Sequence, residues 1–366
     1  MTNFLKILFY VLICFSSDKI LADSNIYHIE NNEIFLDHPD ILEAREIAKD
    51  KAFKIAFTKL LTKILPINDQ DQIYKLEEND PINFIKDFTV RNEDFFDSKY
   101  KAIIDVNFSS NKINEFLNDY GFGLSNIVSE DFLVLPIHYY MNTFYLWEKN
   151  NKWYKNLKNE YNENSLLKLF FPELNLLNKF KISSKDALVG NIDSLNSILS
   201  YYEKKSAIII YFDERYDYEL ERFIGNIKFK VFSQNVFTEL KLTGISLGDR
   251  ISKKTQISLL ARESLIALND WWKNKTTISQ YDENNLNEYF FEIESLNLKE
   301  SIEIEKLLKS SSFFKKLIPI NFEKNKIIFK LSSFGSIEKT KLALRSLNLE
   351  IINTKKPKTY KLLKLR

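Results

Sequence analysis

The chain has 366 residues, 45% apolar and 28% charged, which supports a sizeable core and excludes a disordered tail. Fifty-two Lys and Arg stand against 50 Asp and Glu, so the net charge of +2 is too balanced for the whole surface to attract nucleic acid or anionic lipid. One Cys excludes a disulfide framework, a thiolate zinc site and an iron-sulfur site, and three His restrict acid-base and metal chemistry.

Met1 to Ala22 reads as a secretory signal: a Lys near the start, an apolar run from Ile7 to Phe15, then a polar stretch ending on a small residue. The run is about half the length needed to cross a bilayer, roughly 20 residues. Cleavage after Ala22 is expected, giving an exported, periplasmic protein, with an anchor formed by the uncleaved signal as the alternative. Cys14 follows the large Ile13 where lipid modification would want a small residue. Without residues 1–22 the chain carries no thiol.

Residues 23–125 form a first α/β domain. Asp40 and Glu43 have capping-box spacing, opening a helix that Pro66 stops. Ala44, Ala48, Ala52 and Ala56 line one stripe of it, small enough for close approach to a sheet. Strands are expected at 84–91 and 101–108, and a second helix from Ser110 to a glycine cap at Gly121.

Residues 130–280 form a mixed α/β middle domain. Phe132–His138 and Ser206–Phe212 are apolar runs suited to strands buried on both faces. Ile227–Phe232 and Val236–Leu242 alternate as a hairpin, and a long helix spans Ile251–Trp272. Residues 285–366 follow the order βαββαβ, which predicts a ferredoxin-like domain with a basic tail. The fold class is therefore α/β and α+β, in three small mixed units.

The helix AREIAKDKAFKIAFTKLL, the strand FLVLPIHY and the stretch LWEKNNKW at Leu146–Trp153 together resemble an exported proteobacterial family, domain-of-unknown-function family twenty-sixty-six. The family carries a Leu-Trp pair followed by Asn-Pro-Trp; Leu146, Trp147, Asn151 and Trp153 fit it, and Lys152 stands in place of the proline. A Gly-Asp pair of the family corresponds to Gly190-Asn191, and an earlier pair, expected after Pro172, is missing. The resemblance implies an envelope location and a link to envelope assembly. It brings no catalytic residues, and Asn191 argues against an essential carboxylate there.

Gly244-Ile-Ser246-Leu-Gly248 matches the nucleophile elbow of serine hydrolases. His28, His38 and His138 all precede Ser246, whereas the base of that fold follows its serine, so a hydrolase is a distant alternative. Asp37-His38-Pro39-Asp40 groups an imidazole with two carboxylates, but Asp40 is committed to the helix cap and no second His lies at ligand spacing. No Walker loop or dinucleotide fingerprint is present. No catalytic residue, metal or cofactor is assigned.

Trp147, Trp153 and Trp272 are candidate partner or ligand contacts, since large aromatic anchors concentrate binding energy. The competing reading places Trp147 and Trp153 in the middle core. Trp271 and Trp272 cannot both face inward, which suggests a domain interface there. The last twelve residues carry six basic groups and no acid: Lys355, Lys356, Lys358, Lys361, Lys364 and Arg366. They are candidate contacts for an anionic surface, or the lysines of a last edge strand that blocks aggregation.

The sequence thus points to a non-catalytic binding or scaffold module of the cell envelope. An envelope protein partner is expected, peripheral contact with anionic membrane is possible, and nucleic acid is not. The alternatives are a carrier of a lipidic or glycan ligand in the middle domain, and the hydrolase.

Overall fold

The structure is a computed structural model that describes residues 26–70, 76, 79–217, 219, 222–246, 253–277, 286–294, 298–311, 313–323, 326–333 and 336–364. Residues 1–22, read from sequence as a signal, and residues 247–250, which include the end of the Gly244–Gly248 motif, therefore lie outside the described residues. Three sheets follow one another along the chain, mixed with helices, as the α/β and α+β class requires. Each of the three expected segments carries one sheet. Compactness divides the chain differently: one unit comprises Met1–Leu60 and Lys75–Ile113, the other Leu61–Tyr74 and Asn114–Arg366. The middle and last segments thus belong to a single unit.

In the smaller unit, strands β1 (His28–Asp37), β2 (Ile85–Phe96) and β3 (Lys99–Phe108) form an antiparallel sheet in the order β1-β3-β2. Helix α1 (Ile41–Ile64) joins β1 to β2, and its alanine stripe is fully buried, as expected for a helix lying close on a sheet. Tyr100, Ala102, Ile104, Val106 and Phe108 are the buried face of β3. Asp40 caps α1, its Oδ1 accepting the N–H groups of Leu42 and Glu43 at 2.7 and 3.1 Å. The expected reach of Glu43 back to the cap is replaced. His38 Nδ1 accepts the Asp40 N–H at 3.2 Å, and Glu43 meets His38 Nε2 at 3.2 Å.

β1 is an addition to the expected strands. Asn31 has a positive φ of 58°, and a bulge between Ile29 and Asn32 breaks the two-residue alternation by which a strand is recognised.

Ahead of the middle sheet come α2 (Ile67–Gln70), in the larger unit, and α3 (Ser110–Asp119), whose first turn belongs to the smaller unit and the rest to the larger. That sheet contains β4 (Phe132–Tyr140), β5 (Thr143–Tyr145), β6 (Leu169–Phe170), β7 (Ser206–Asp217), β8 (Arg222–Ser233) and β9 (Val236–Ser246). The order is β5-β4-β7-β8-β9, with β6 also on β4; β4 and β7 are parallel, and β7, β8 and β9 are antiparallel. The crossover from β4 to β7 carries α4 (Lys152–Glu160), α5 (Leu176–Lys181), α6 (Ser184–Val189) and α7 (Ile192–Tyr201). Helix α8 (Lys253–Thr276) follows β9. A core of Leu133, Leu135, Ile137, Trp147, Ile198 and Ile209, among others, fills one face of the sheet.

The last sheet holds β10 (Asn287–Glu294), β11 (Phe314–Glu323), β12 (Lys326–Ser333), β13 (Leu349–Asn353) and β14 (Thr359–Lys364), with helices α9 (Leu298–Ser310) and α10 (Ile337–Ser346). Its order, β11-β12-β10-β14-β13, departs from a ferredoxin-like plait at one place. The fourth strand of the plait, β13, should lie beside the first, β10. Instead β14 runs parallel to β10 and pushes β13 one place outward. β14, which carries Lys361 and Lys364 of the basic tail, is therefore an interior strand and not the edge strand considered from sequence.

Candidate functional site

Each tryptophan proposed as a contact has its indole closed into a core. Trp147 donates to the Ile182 carbonyl at 2.7 Å, Trp153 to Ile210 at 3.1 Å and Trp272 to Ile127 at 2.7 Å, all three being buried. Buried indole N–H groups require such acceptors, and these satisfy them from backbone within the larger unit. Trp153 also packs on Phe212 and Trp272 on Phe132, with ring centres 4.7 and 6.0 Å apart. Trp147 and Trp153 thus take the core reading, and Trp272, also a candidate contact, is buried as well. Trp271 is the partly exposed member of its pair, beneath the Lys275 ammonium at 5.0 Å.

The residues that carry the family resemblance have structural work in the same place. Asn151 is buried and caps α4 by accepting the Tyr154 N–H at 3.0 Å. Its amide also donates to the carbonyls of Pro136, Tyr145 and Leu146 at 2.9, 3.2 and 3.2 Å. Lys152 is the first residue of α4 and exposed, the helical position at which proline is most at home. Gly190 ends α6 with φ 79°, and Asn191 caps α7 by accepting the Ser194 N–H. Asn and Asp cap comparably, so the exchange of Asp for Asn there preserves the local structure.

Surface apolar character collects on α5, which sequence reading passed over. Leu176, Leu177 and Phe180 are 73%, 61% and 88% exposed within one six-residue helix. The helix is fixed from below. Asn175 caps it through the Asn178 N–H, and buried Asn178 bonds the Glu173 carbonyl and the Tyr202 hydroxyl, both at 2.7 Å. Lys179 lies 3.1 Å from Glu148, and Lys181 sits 4.6 Å over the exposed Tyr201 ring. Burial raises the Glu148 pKa, but the Leu146 N–H and Lys179 outweigh it and hold that carboxyl below its ordinary value. The result is an apolar knuckle anchored from below, with Lys179 paired to Glu148 and Lys181 over Tyr201. The only sequence signal was Leu-Leu-Asn-Lys-Phe, too short for helical periodicity to show.

His138 and Glu214 form a buried polar pair at the C-terminal ends of parallel β4 and β7, with Nε2 3.1 Å from Oε2. The imidazole is stacked between Phe212 and Tyr140, ring centres 5.1 and 5.8 Å away. Both side chains are closed off from solvent.

Ser246 ends β9, an antiparallel neighbour of β8, unlike the mostly parallel setting of a hydrolase elbow. Its side chain and residues 247–250 lie outside the described residues. Among the described residues no three His, Cys, Asp or Glu side chains converge as a metal site, and no helix is long and apolar enough to cross a membrane.

The six basic residues of the tail divide. Lys355, Lys356 and Lys358 are exposed in the turn between β13 and β14, a turn held by the Thr354 hydroxyl, which donates to the Thr359 carbonyl at 2.8 Å. Lys361 and Lys364 lie in β14, Lys364 beside Glu303 at 3.0 Å, and Arg366 is outside the described residues. No family model matches the chain, and no curated protein matches it.

Proposed function

We propose that this chain is an exported, non-catalytic binding module of the cell envelope that docks a partner protein through the α5 knuckle. The observation that supports this is the outward presentation of Leu176, Leu177 and Phe180 on a helix whose polar residues are spent on anchoring it. A convex apolar tip suits a concave groove in a protein, and Phe is a residue type that concentrates interface energy. Envelope location and a role in assembly are part of this reading, supported by the resemblance in sequence and by the signal-like layout of residues 1–22.

Crosslinking and pull-down from the native envelope test the proposal, comparing wild type with Phe180→Asp. The exposed position of Phe180 keeps the fold intact, so the captured protein should be lost while the melting temperature is unchanged. Equal capture by both proteins would sink the knuckle. Fractionation tests export separately: recovery of the chain in the cytoplasm with residues 1–22 attached would sink that part.

A second reading is supported by Lys355, Lys356 and Lys358 together in one tight turn: peripheral contact with anionic lipid, at about 1 kcal/mol per basic group. Vesicles rich in anionic lipid should bind the protein at low salt and release the Lys355→Ala, Lys356→Ala, Lys358→Ala variant.

A further inference from the structure

Both terminal sheets begin with the same split β-α-β arrangement. In the smaller unit β1, α1 and β2 are followed by β3, which lies between the two strands; in the last sheet β10, α9 and β11 are followed by β12 in the same place. They differ on the other side of the first strand. Beside β10 runs β14, in parallel, whereas among the described residues β1 pairs with β3 alone.

The lane beside β1 can be specified atom by atom. The His38 N–H donates to the Ser98 carbonyl at 2.8 Å, in register with the β1 pairs from Asn32↔Ile104 to Asp37↔Lys99. In an antiparallel ladder hydrogen-bonded and non-bonded pairs alternate, so Leu36, Ile34 and Asn32 bond towards β3. Glu33, Phe35 and Asp37 then point their N–H and C=O groups away from it, along the free edge. The side chains of these three residues are all exposed, with Phe35 at 62%. Lys59 of α1 reaches Asn32 Oδ1 of β1 at 2.9 Å, and the i, i+4 row of α1 that ends at Lys59 carries the half-exposed Ile47 and Ile55 with Lys51 between them.

We infer that the edge of β1 receives an added strand from a partner protein, one that is apolar towards Ile47 and Ile55 and basic on its outer face. Main-chain pairing supplies affinity in this mode, and alternate side chains supply specificity. Glu33 and Asp37 flank Phe35 and favour Lys or Arg opposite them. A second copy is disfavoured by the same residues: an antiparallel self-pairing centred on Phe35 sets Glu33 against Asp37, and like charges directly opposite are destabilising. The competing edge, β2, is blunted by two bulges and by Asn92 at φ 50°.

This inference rests on the binding-module reading but uses a surface other than the knuckle. Hydrogen exchange on the full chain tests it, with a short peptide alternating Lys and Val as probe and a Glu-Val peptide as control. The Lys-Val peptide should slow exchange at the Glu33, Phe35 and Asp37 amides ~10-fold and leave β2 unchanged, and the Glu-Val peptide should not. Phe35→Pro should abolish the effect, because the lost N–H is an outward one and no β1–β3 bond depends on it. Should that variant misfold, Glu33→Lys with Asp37→Lys should reverse the preference in favour of the Glu-Val peptide. Unchanged β1 amides, equal protection by both peptides, protection of β2 instead, or protection by protein concentration alone would each overturn the inference. Continued loss of the envelope partner on Phe180→Asp would then show that the binding reading survives without it.

Discussion

The side-chain amide of Asn151 donates to the carbonyl of Pro136, 2.9 Å away in the middle of β4. A residue's N–H and C=O point to the same side of a strand, and on that side of β4 no strand among the described residues faces 134–137, because β6 pairs with 132–133 and β5 with 138–140. The gap is what tolerates a proline in a buried strand: its missing N–H costs no ladder bond. Asn151 fills the gap and ties the β5 loop to the start of α4. Asn151→Ala should therefore cost about 3 kcal/mol, from a lost cap and stranded carbonyls. Asn151→Asp should cost more, since it keeps the cap but places an acceptor against three acceptors. Urea unfolding measures both, and a loss below about 1 kcal/mol for either would contradict this account.

Lys152→Pro should stabilise the protein by about 0.5 kcal/mol. Lys152 is exposed at the first position of α4, whose N–H needs no intrahelical partner, and Asn151 at φ −61° and ψ 100° is extended, outside the α region that a following proline disfavours. The gain comes from the unfolded chain, which loses freedom. A lower melting temperature for the variant would count against the assignment of Lys152 to that position.

Gly225→Ala should destabilise by about 1–3 kcal/mol through overpacking. A Cβ at Gly225 would lie 2.7 Å from Phe212 Cε2 and 3.3 Å from Leu260 Cδ1. Phe212 is clamped between Trp153 and His138, so its ring has little room to yield. Combining the change with Phe212→Leu should return part of the loss; simple addition of the two effects would refute the steric cause.

What could be foreseen depended on whether a signal is local. The alanine stripe of α1, the β8–β9 hairpin and the βαββαβ order are written in periodicity, and the structure contains them. The place of β14 is not local: parallel pairing between Phe290–Glu292 and Thr359–Lys361 joins residues far apart, and no pattern within TYKLLK distinguishes an interior strand from an edge. The tryptophans show the same limit. Residue type marks Trp147 and Trp153 as anchors of either a partner or the core, and the carbonyls of Ile182 and Ile210 decide for the core. The knuckle was hidden for the opposite reason, since exposure of Phe180 contradicts its residue type.

Lys273 makes a pH-dependent prediction whose sign is fixed by burial. Its ammonium is buried in the larger unit and donates to the carbonyls of Thr62 and Leu65 at 2.7 and 2.9 Å. Burial pushes its pKa down to about 8, with Asp270 opposing, from an ordinary value of 10.5. Between those values the unfolded chain holds a proton that the folded chain has released, so stability rises with pH across this window. The integrated rise is about 3 kcal/mol, and below pH 8 the folded protein carries the full cost of the buried charge. Lys273→Met loses two hydrogen bonds but also that cost, so at pH 7 it should lie within about 1 kcal/mol of wild type or above it. Urea titrations of both proteins from pH 7 to pH 10.5 measure the difference, which cancels the tyrosines common to the two. The wild type should gain on the variant steadily above pH 8; parallel stability curves would show that the Lys273 charge is solvated and the burial argument wrong.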